Sequence, residues 1–234
     1  MYMIRLVLLL ASLVLSACAS TSPNTNSKDP YEGFNRSMYS FNDALDRAIV
    51  KPVAKGYKAV MPNFGQKMVR NFFSNIDDIF VTGNDLLQLK FKKASSDFTR
   101  VWVNTIFGVF GLFNVAENLE KHNEDFGQTL GYWGVSSGPY LVLPFVGPSS
   151  VRDGAGLAVD SYYGLVENIE DRALSNSLYA TNKIDERVQL LDTEKIIEGG
   201  VMDRYSFLRD AYIMRRQSLV YDGDPPRIKY DDDY

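Results

Sequence analysis

Apolar side chains recur at intervals of three and four residues over most of this chain. The same spacing is found at 64–87, 91–105, 178–191 and 201–215. The clearest run forms one face between residues 34 and 49, with the members Phe34, Met38, Phe41, Leu45 and Ile49. Such spacing is typical of an amphipathic helix. Because there is no internal repeat and no recognisable linker, the pattern predicts an all-α fold, a single domain of amphipathic helices.

The first of these helices carries its own start and stop signals. Asp29, Pro30 and Glu32 are spaced as an N-cap carboxylate, a proline at the first helical position and a glutamate that closes a capping box. Pro52 is expected to stop or kink the helix, because proline has no backbone N–H to donate.

Two segments depart from the helical pattern. Residues 101–116 are largely apolar on all sides, but these 16 residues fall short of the roughly 20 that span a bilayer, so they could enter only one leaflet. Residues 117–128 are predicted to be a charged loop. Residues 129–148 are rich in Gly, Ser and Pro, which predicts a hairpin or irregular loop.

The N-terminus has the features of a cleavable signal. Arg5 precedes an apolar run, Leu6 to Leu15, that is too short to span a membrane. The residues before Cys18 are Leu15-Ser16-Ala17, which match the lipobox of bacterial lipoproteins. We therefore expect cleavage after residue 17 and lipidation of Cys18, and two acyl chains suffice for stable anchoring. Ala19, where lipoproteins kept in the inner membrane usually carry Asp, implies the outer membrane.

These features divide the chain into four predicted parts. Residues 1–17 are the signal peptide, 18–28 a flexible tether, 29–222 the helical domain and 223–234 a disordered acidic tail.

Composition excludes several classes of function. The net charge is −4 with no basic stripe, so we expect no nucleic-acid partner. Cys18 is the only cysteine and His122 the only histidine, so no disulfide framework, metal site or cofactor is expected. The stretch 122–125 contains one imidazole beside carboxylates and is predicted to be a solvated loop.

One motif suggests an enzyme but lacks the context of one. Residues 134–138 fit the Gly-x-Ser-x-Gly elbow of serine hydrolases, in which the catalytic histidine follows the serine. His122 precedes Ser136, and the order His122, Asp125, Ser136 would need a β-barrel that the periodicity does not support. Acidic pairs such as Glu170 and Asp171 could serve a cell-wall glycosidase, which needs two carboxylates on opposite sides of a cleft. The sequence alone does not place them there. We predict no catalytic residues.

Several segments together resemble one family, the MlaA (also VacJ) lipoproteins of Gram-negative outer membranes. The segments that carry the resemblance are Asp29–Arg36 with Met38-Tyr39 and Phe41-Asn42, Lys51–Ala54, Asn71–Asn75, Arg100, Asn104-Thr105, Gly108, Phe126–Val135, Gly138–Tyr140, Leu143–Phe145, Ser149–Asp153 and Arg187–Asp192. The resemblance covers nearly the whole mature chain.

The resemblance implies a ring of helices in the inner leaflet of the outer membrane, facing the periplasm, with a central amphipathic channel. It implies a trimeric porin of the OmpC/OmpF type as a partner and transfer of stray outer-leaflet phospholipid to a periplasmic carrier of the MlaC type. The alternative is a structural adaptor lipoprotein that sits beside a porin and transports nothing.

The physical demands of lipid transfer agree with this implication. Exposing two acyl chains of about 15 methylenes each to water costs on the order of 24 kcal/mol, at roughly 0.8 kcal/mol per methylene. A phosphate head group is equally unsuited to hydrocarbon. The conduit must therefore be polar on one side and apolar on the other.

Two sets of residues are candidates for this function. Gly131, Gly134, Ser136 and Gly138 are predicted to form a mobile channel or gating loop, since glycine tolerates unusual backbone angles; the family often has glycine where this chain has Ser136. The second set, expected either to contact acyl chains or to pack in the core, comprises Phe107, Phe110 and Phe113. The density of aromatic residues suits a chain that meets the lipid interface, and a large aromatic core explains it nearly as well.

Overall fold

The computed structural model describes residues 29–198 and 200–226. The predicted signal peptide, Cys18, the tether and most of the acidic tail therefore lie outside the described residues. Within the described part, the prediction of an all-α fold is confirmed, with one short β-hairpin added.

The helices follow one another with short connections. The elements are α1 (Glu32–Leu45), a π-helix (Asp46–Val50), α2 (Lys51–Val60), α3 (Asn63–Leu87), α4 (Phe91–Ile106), α5 (Phe126–Tyr132), β1 (Tyr140–Leu143), β2 (Gly147–Ser150), α6 (Val151–Tyr163), α7 (Arg172–Glu198) and α8 (Arg204–Val220). Strands β1 and β2 pair antiparallel, with Tyr140 opposite Ser150. α3 packs along α4, α5 against α6, and α2 against α7.

The start of α1 differs from the sequence prediction. The helix begins at Glu32, the N-cap residue is Tyr31, and no side chain caps it. Asp29 is instead buried, where it accepts hydrogen bonds from Asn35 at 2.8 Å and from Tyr205. The capping-box prediction was wrong because tertiary partners occupy the carboxylate.

Pro52 does not stop the helix. The turn before it is a π-turn in place of a regular α-helical turn. The chain passes from α1 through the π-helix directly into α2, and Pro52 lies in the first turn of α2. A π-turn spaces its hydrogen bonds one residue wider than an α-turn, and here it occupies the residues just before the proline, which cannot donate one.

Two helices have little periodic signal in the sequence. α5 begins inside the stretch predicted as a charged loop, where Asp125 caps it by accepting from Gln128 N at 2.8 Å. Ser150 caps α6 by accepting from Asp153 N at 3.1 Å. The two helices approach each other closely at Gly156 and Gly127. A Cβ at Gly156 would lie only 2.6 Å from the Cα of Gly127, so only glycine fits there.

Helices α3 and α4 bury many polar side chains and leave large apolar ones exposed. On α3 and α4 the buried side chains include Asp78, Asp85, Asp97, Arg100 and Asn104. The large side chains of α4 that face outward are Phe91, Phe98, Trp102 and Ile106, each more than half exposed. Buried polar residues outnumber buried apolar ones over the described ranges. This is the reverse of the usual distribution in a water-soluble domain.

The apolar core is correspondingly small. One cluster joins Ala54 of α2 to Val188 and Leu191 of α7. A second joins Tyr140 and Val142 of β1 to Tyr205 of α8, and Tyr140 and Tyr205 pack edge to face at 6.4 Å. In the part of the chain that the structure describes, no helix combines the length and apolar character needed to cross a bilayer.

Candidate functional site: an amphipathic cavity beside the glycine-rich loop

A cavity of about 580 Å³ opens between the loop 133–139 and helix α8. Its lining is mixed, with cationic and hydroxyl groups as well as aliphatic side chains. The residues around it are Pro30, Gly131, Gly134, Val135, Ser136, Ser137, Gly138, Pro139, Tyr140, Ser150, Arg152, Tyr212, Ile213, Arg216, Gln217, Val220 and Tyr221. The size falls within the range of ligand pockets, and the lining offers both polar and apolar contacts.

All four residues predicted for the loop border this one cavity. Gly134 and Gly138 have φ of +88° and +68°, which favours glycine strongly. Gly131 lies in helix α5 and not in the loop that the sequence predicts, and a Cβ there would lie 2.7 Å from the Arg152 guanidinium and 2.9 Å from Val220. Ser136 lies in the exposed part of the loop. The structure thus places three of the four predicted residues in the loop 133–139.

A charged network lies behind the cavity and joins three helices. Arg216 of α8 donates to Asp153 of α6 at 2.8 Å and to Asp125, the N-cap of α5, at 3.0 Å. Asp153 also accepts from Arg152 at 2.9 Å and from the Tyr212 hydroxyl at 2.7 Å. The network therefore fixes the angle between α5, α6 and α8, and with it the wall of the cavity.

The network keeps its carboxylates ionised. Burial alone would raise the pKa of Asp153, but Arg216, Tyr212 and Arg152 outweigh it and lower that pKa to about 2. Arg216 likewise lowers the pKa of Asp125 against the effect of burial. Asp160 lies nearby without such a partner, and burial raises its pKa to about 6 although it accepts from the Phe126 N–H.

The β-hairpin beside the cavity is held by asparagine side chains of α1. Asn35 donates to Tyr140 O at 3.0 Å and accepts from Val142 N at 2.8 Å. Asn42 donates to Leu143 O at 2.9 Å and accepts from Phe145 N at 2.8 Å. Each amide thus satisfies one donor and one acceptor of the hairpin backbone.

The predicted phenylalanine set lies elsewhere in the fold. Phe107, Phe110 and Phe113 occupy the tight turns that follow α4, and none of them borders the cavity. They are 66%, 74% and 39% exposed, which excludes the simple core role. Phe107 packs against Trp102 at 6.2 Å and Phe113 against Phe64 at 6.1 Å.

The stretch 122–125 is not the solvated loop that the sequence predicts. His122 Nδ1 lies 2.7 Å from Asp97 Oδ2, and the His122 side chain is only 14% exposed. Glu124 is buried and accepts from Gln88 at 2.9 Å and from Lys90 at 3.0 Å. The prediction was wrong because these polar side chains pair with partners on α4 and at the α3–α4 turn.

The same contacts leave no hydrolase triad. Asp125 is bound to Arg216 and His122 to Asp97, while Ser136 lies in the exposed loop. The Gly-x-Ser-x-Gly match therefore lacks both the strand-to-helix turn and the histidine that the motif requires.

Comparison with known proteins places this arrangement in a family. A sequence model described as "MlaA lipoprotein" matches residues 27–219. An Escherichia coli K12 protein named "Intermembrane phospholipid transport system lipoprotein MlaA" is 34% identical over 226 residues, which cover 93% of this chain and 88% of the relative. A Haemophilus influenzae protein of the same name is 30% identical and covers 93% of this chain and 90% of the relative.

The structural comparison agrees with the sequence comparison. A chain from a solved structure described as "Structural basis for maintenance of bacterial outer membrane lipid asymmetry" aligns with a TM-score of 0.72 and 31% identity. The alignment covers 82% of this chain and 98% of that one. On the family match and on relatives that align along nearly its whole length, this protein belongs to the MlaA lipoprotein family.

Proposed function

We propose that this protein is an outer-membrane lipoprotein that removes misplaced phospholipid from the outer leaflet and passes it to a periplasmic carrier. Support comes from the names of its curated relatives, which are lipoproteins of an intermembrane phospholipid transport system and not enzymes. The proposal includes the lipid anchor on Cys18.

The single observation that carries the proposal is the outward orientation of the apolar helix faces. The large apolar residues that are more than half exposed around α3, α4 and the following turns are Phe64, Leu87, Leu89, Phe91, Phe98, Trp102, Ile106, Phe107, Val109 and Phe110. Leaving such a side chain half exposed to water forgoes on the order of 1 kcal/mol, so the set forgoes on the order of 10 kcal/mol. Contact with acyl chains would recover that free energy, which favours a membrane-embedded position.

The amphipathic cavity suits the molecule to be moved. Arg152 and Arg216 supply cationic groups for a phosphate, although both also pair with Asp153, while Val135 and Val220 supply apolar contact. A conduit that accepts a phospholipid needs both kinds of surface. We propose that this cavity is part of the lipid pathway through a ring of helices.

The loop 133–139 is proposed as the gate of that pathway. It is exposed from Trp133 to Gly138, and its glycines at positive φ allow backbone rearrangements that other residues resist. The exposed Phe107, Phe110 and Phe113 are proposed to contact acyl chains of the surrounding leaflet.

The proposed partners follow from the family resemblance. A trimeric porin would hold the helical domain in the membrane, and a soluble periplasmic carrier would accept the lipid. Crosslinking from cysteines introduced at Phe98 or Trp102, followed by identification of the crosslinked protein, tests whether this exposed face meets a porin.

The transport proposal is tested by deleting the gene and measuring phospholipid on the cell surface. Surface phospholipid should rise in the deletion strain, and the wild-type gene should reverse the rise. Gly134→Pro should fail to reverse it at normal protein levels, since proline requires φ near −65°. Gly83→Ala, a glycine of α3 with open space around it, is the matched control and should complement.

The same strains distinguish transport from the adaptor alternative. A lipoprotein that only sits beside a porin would leave surface phospholipid unchanged on deletion and would not copurify with phospholipid. Either result would exclude the proposed pathway. Phospholipid in the purified protein, together with a rise of surface phospholipid in the deletion strain, would support it.

A further inference from the structure

Three side chains that are far apart in sequence meet at the joint between α3, α4 and the loop after them. Asp85 comes from α3, Asp97 from α4 and His122 from the loop. One potential ligand atom from each lies within 4.8 Å of those from the other two, and both aspartates are fully buried. The sequence pattern 122–125 contained only one of the three.

Asp85 is the unusual member of this cluster. Among the described residues neither of its carboxylate oxygens has a hydrogen-bond partner, and the side chain is 0% exposed. A buried carboxylate without a donor or a counter-ion is costly. One of these oxygens lies within 4.8 Å of ligand atoms of Asp97 and His122, and no described side chain donates to either oxygen.

The neighbouring cations are engaged elsewhere. Lys90 lies 3.0 Å from Glu124 and 2.7 Å from Asp222. Lys121 lies 3.0 Å from Asp78, and Arg100 lies 3.3 Å from the same carboxylate. His122 is the basic side chain that lies beside the two aspartates, and its Nδ1 is 2.7 Å from Asp97 Oδ2.

We propose that Asp85, Asp97 and His122 bind a divalent transition-metal ion, for which Zn²⁺ is the best match. Zinc accepts imidazole nitrogen and carboxylate oxygen at about 2.0–2.2 Å, usually from four ligands. A site of one nitrogen and two oxygens also suits Zn²⁺ better than Ca²⁺ or Mg²⁺, which prefer oxygen alone. Water supplies the fourth position.

An acidic side chain lies near the far nitrogen of the imidazole. With Nδ1 facing Asp97 and the metal, Nε2 lies 3.8 Å from Glu120 Oε2. Glu120 is 83% exposed and can move to accept the Nε2 proton. A carboxylate on the second ring nitrogen fixes the imidazole and strengthens it as a ligand.

The ion would fasten the loop 117–125 to the α3–α4 pair. That loop ends at Asp125, the N-cap of α5, and α5 leads directly to the glycine-rich loop. The site would therefore stabilise the frame of the cavity from a position outside it. This inference does not depend on the transport proposal.

The test uses the mature lipoprotein in detergent, stripped with a chelator and titrated calorimetrically with ZnCl₂. We expect one Zn²⁺ per chain for the wild type. Asp85→Asn and His122→Gln should each weaken binding at least about 10-fold, as expected when a metal site loses a ligand or its support. Glu117→Gln, an exposed acid on the same loop, is the matched control and should bind as the wild type does.

Thermal unfolding separates loss of the site from loss of the fold. Asp85→Asn keeps the shape of the side chain and removes a buried charge, so its metal-free midpoint should equal or exceed that of the wild type. Added Zn²⁺ should raise the midpoint of the wild type and of Glu117→Gln but not that of Asp85→Asn. Absence of saturable one-to-one binding to the wild type, or equal binding and equal thermal shifts in Asp85→Asn, would overturn the site.

Discussion

Arg216 should be among the most sensitive positions in the domain. The change Arg216→Met keeps the length of the side chain but removes the group that lies 2.8 Å from Asp153 and 3.0 Å from Asp125. Both carboxylates would then lose their shared cation. The Asp153 side chain is only 6% exposed, so water cannot replace the guanidinium there.

The size of the effect follows from burial. Removing one partner of a buried ion pair typically costs about 3–5 kcal/mol. Asp153 retains Arg152 and Tyr212, and Asp125 is 37% exposed and can rehydrate. We therefore expect a loss near the lower end, about 3 kcal/mol, or roughly a 100-fold shift in the unfolding equilibrium.

The assay is denaturant unfolding in mild detergent, followed by far-UV circular dichroism at pH 7. Lys183→Met is the matched control, because Lys183 and Glu186 are equally close, at 2.9 Å, but about half exposed. Exposed pairs contribute less than about 1 kcal/mol. The comparison therefore varies burial at nearly constant distance.

The pH dependence of the difference is a second check. The pKa of Asp153 is lowered to about 2 in the fold, from about 3.9 when unfolded, so the stability it contributes is present above about pH 4 and is lost as pH falls towards 2. The gap between wild type and Arg216→Met should narrow over the same range. A loss below 1 kcal/mol, or a gap that does not change between pH 7 and pH 3, would refute the reasoning.

Three further predictions concern other sites. Asp160→Asn should raise the melting temperature at pH 8 and leave it nearly unchanged at pH 3. The pKa of Asp160 is raised to about 6 in the fold from about 3.9 when unfolded, so its carboxyl group costs stability progressively as pH rises from about 4 to 6 and fully above that range. An equal shift at both pH values would contradict this. Gly156→Ala should lower the free energy of unfolding by about 1–3 kcal/mol, since the new methyl group would overlap Gly127. Gly83→Ala is the control and should raise that free energy slightly. Equal effects of the two changes on the urea midpoint would argue against the close contact between α5 and α6. In a Cys18→Ser background, which removes the predicted acyl anchor, Phe110→Asp should reduce binding to phospholipid vesicles by about 10-fold or more without lowering the unfolding midpoint in mild detergent, because the ring is 74% exposed. Unchanged flotation with vesicles would count against lipid contact.

Periodicity was sufficient to predict the long helices but not their orientation. The spacing of Phe91, Phe98 and Trp102 shows that α4 has two unlike faces, and a sequence alone favours burying the apolar one. The structure buries Asp97 and Arg100 instead. Which face of a helix is buried depends on the surrounding solvent. The spacing of apolar residues is the same in either case, so it does not predict which face is buried.

The helices that the pattern missed are short and contain two glycines each. α5 and α6 contain glycines where a typical helix has large side chains, and their starts are fixed by the caps Asp125 and Ser150. Glycine composition did locate the loop of the candidate site. Arg216 gave no such signal, because its partners lie 63 and 91 residues away in the chain.

The asparagines of α1 protect the β-hairpin against aggregation through its edge. A two-stranded hairpin is marginal in water, and its free edge presents unpaired backbone groups that can recruit another strand. Asn35 and Asn42 occupy that edge with amides in place of a third strand. Once α1 has docked, the hairpin has no open edge at these positions on which a neighbouring copy could begin to aggregate.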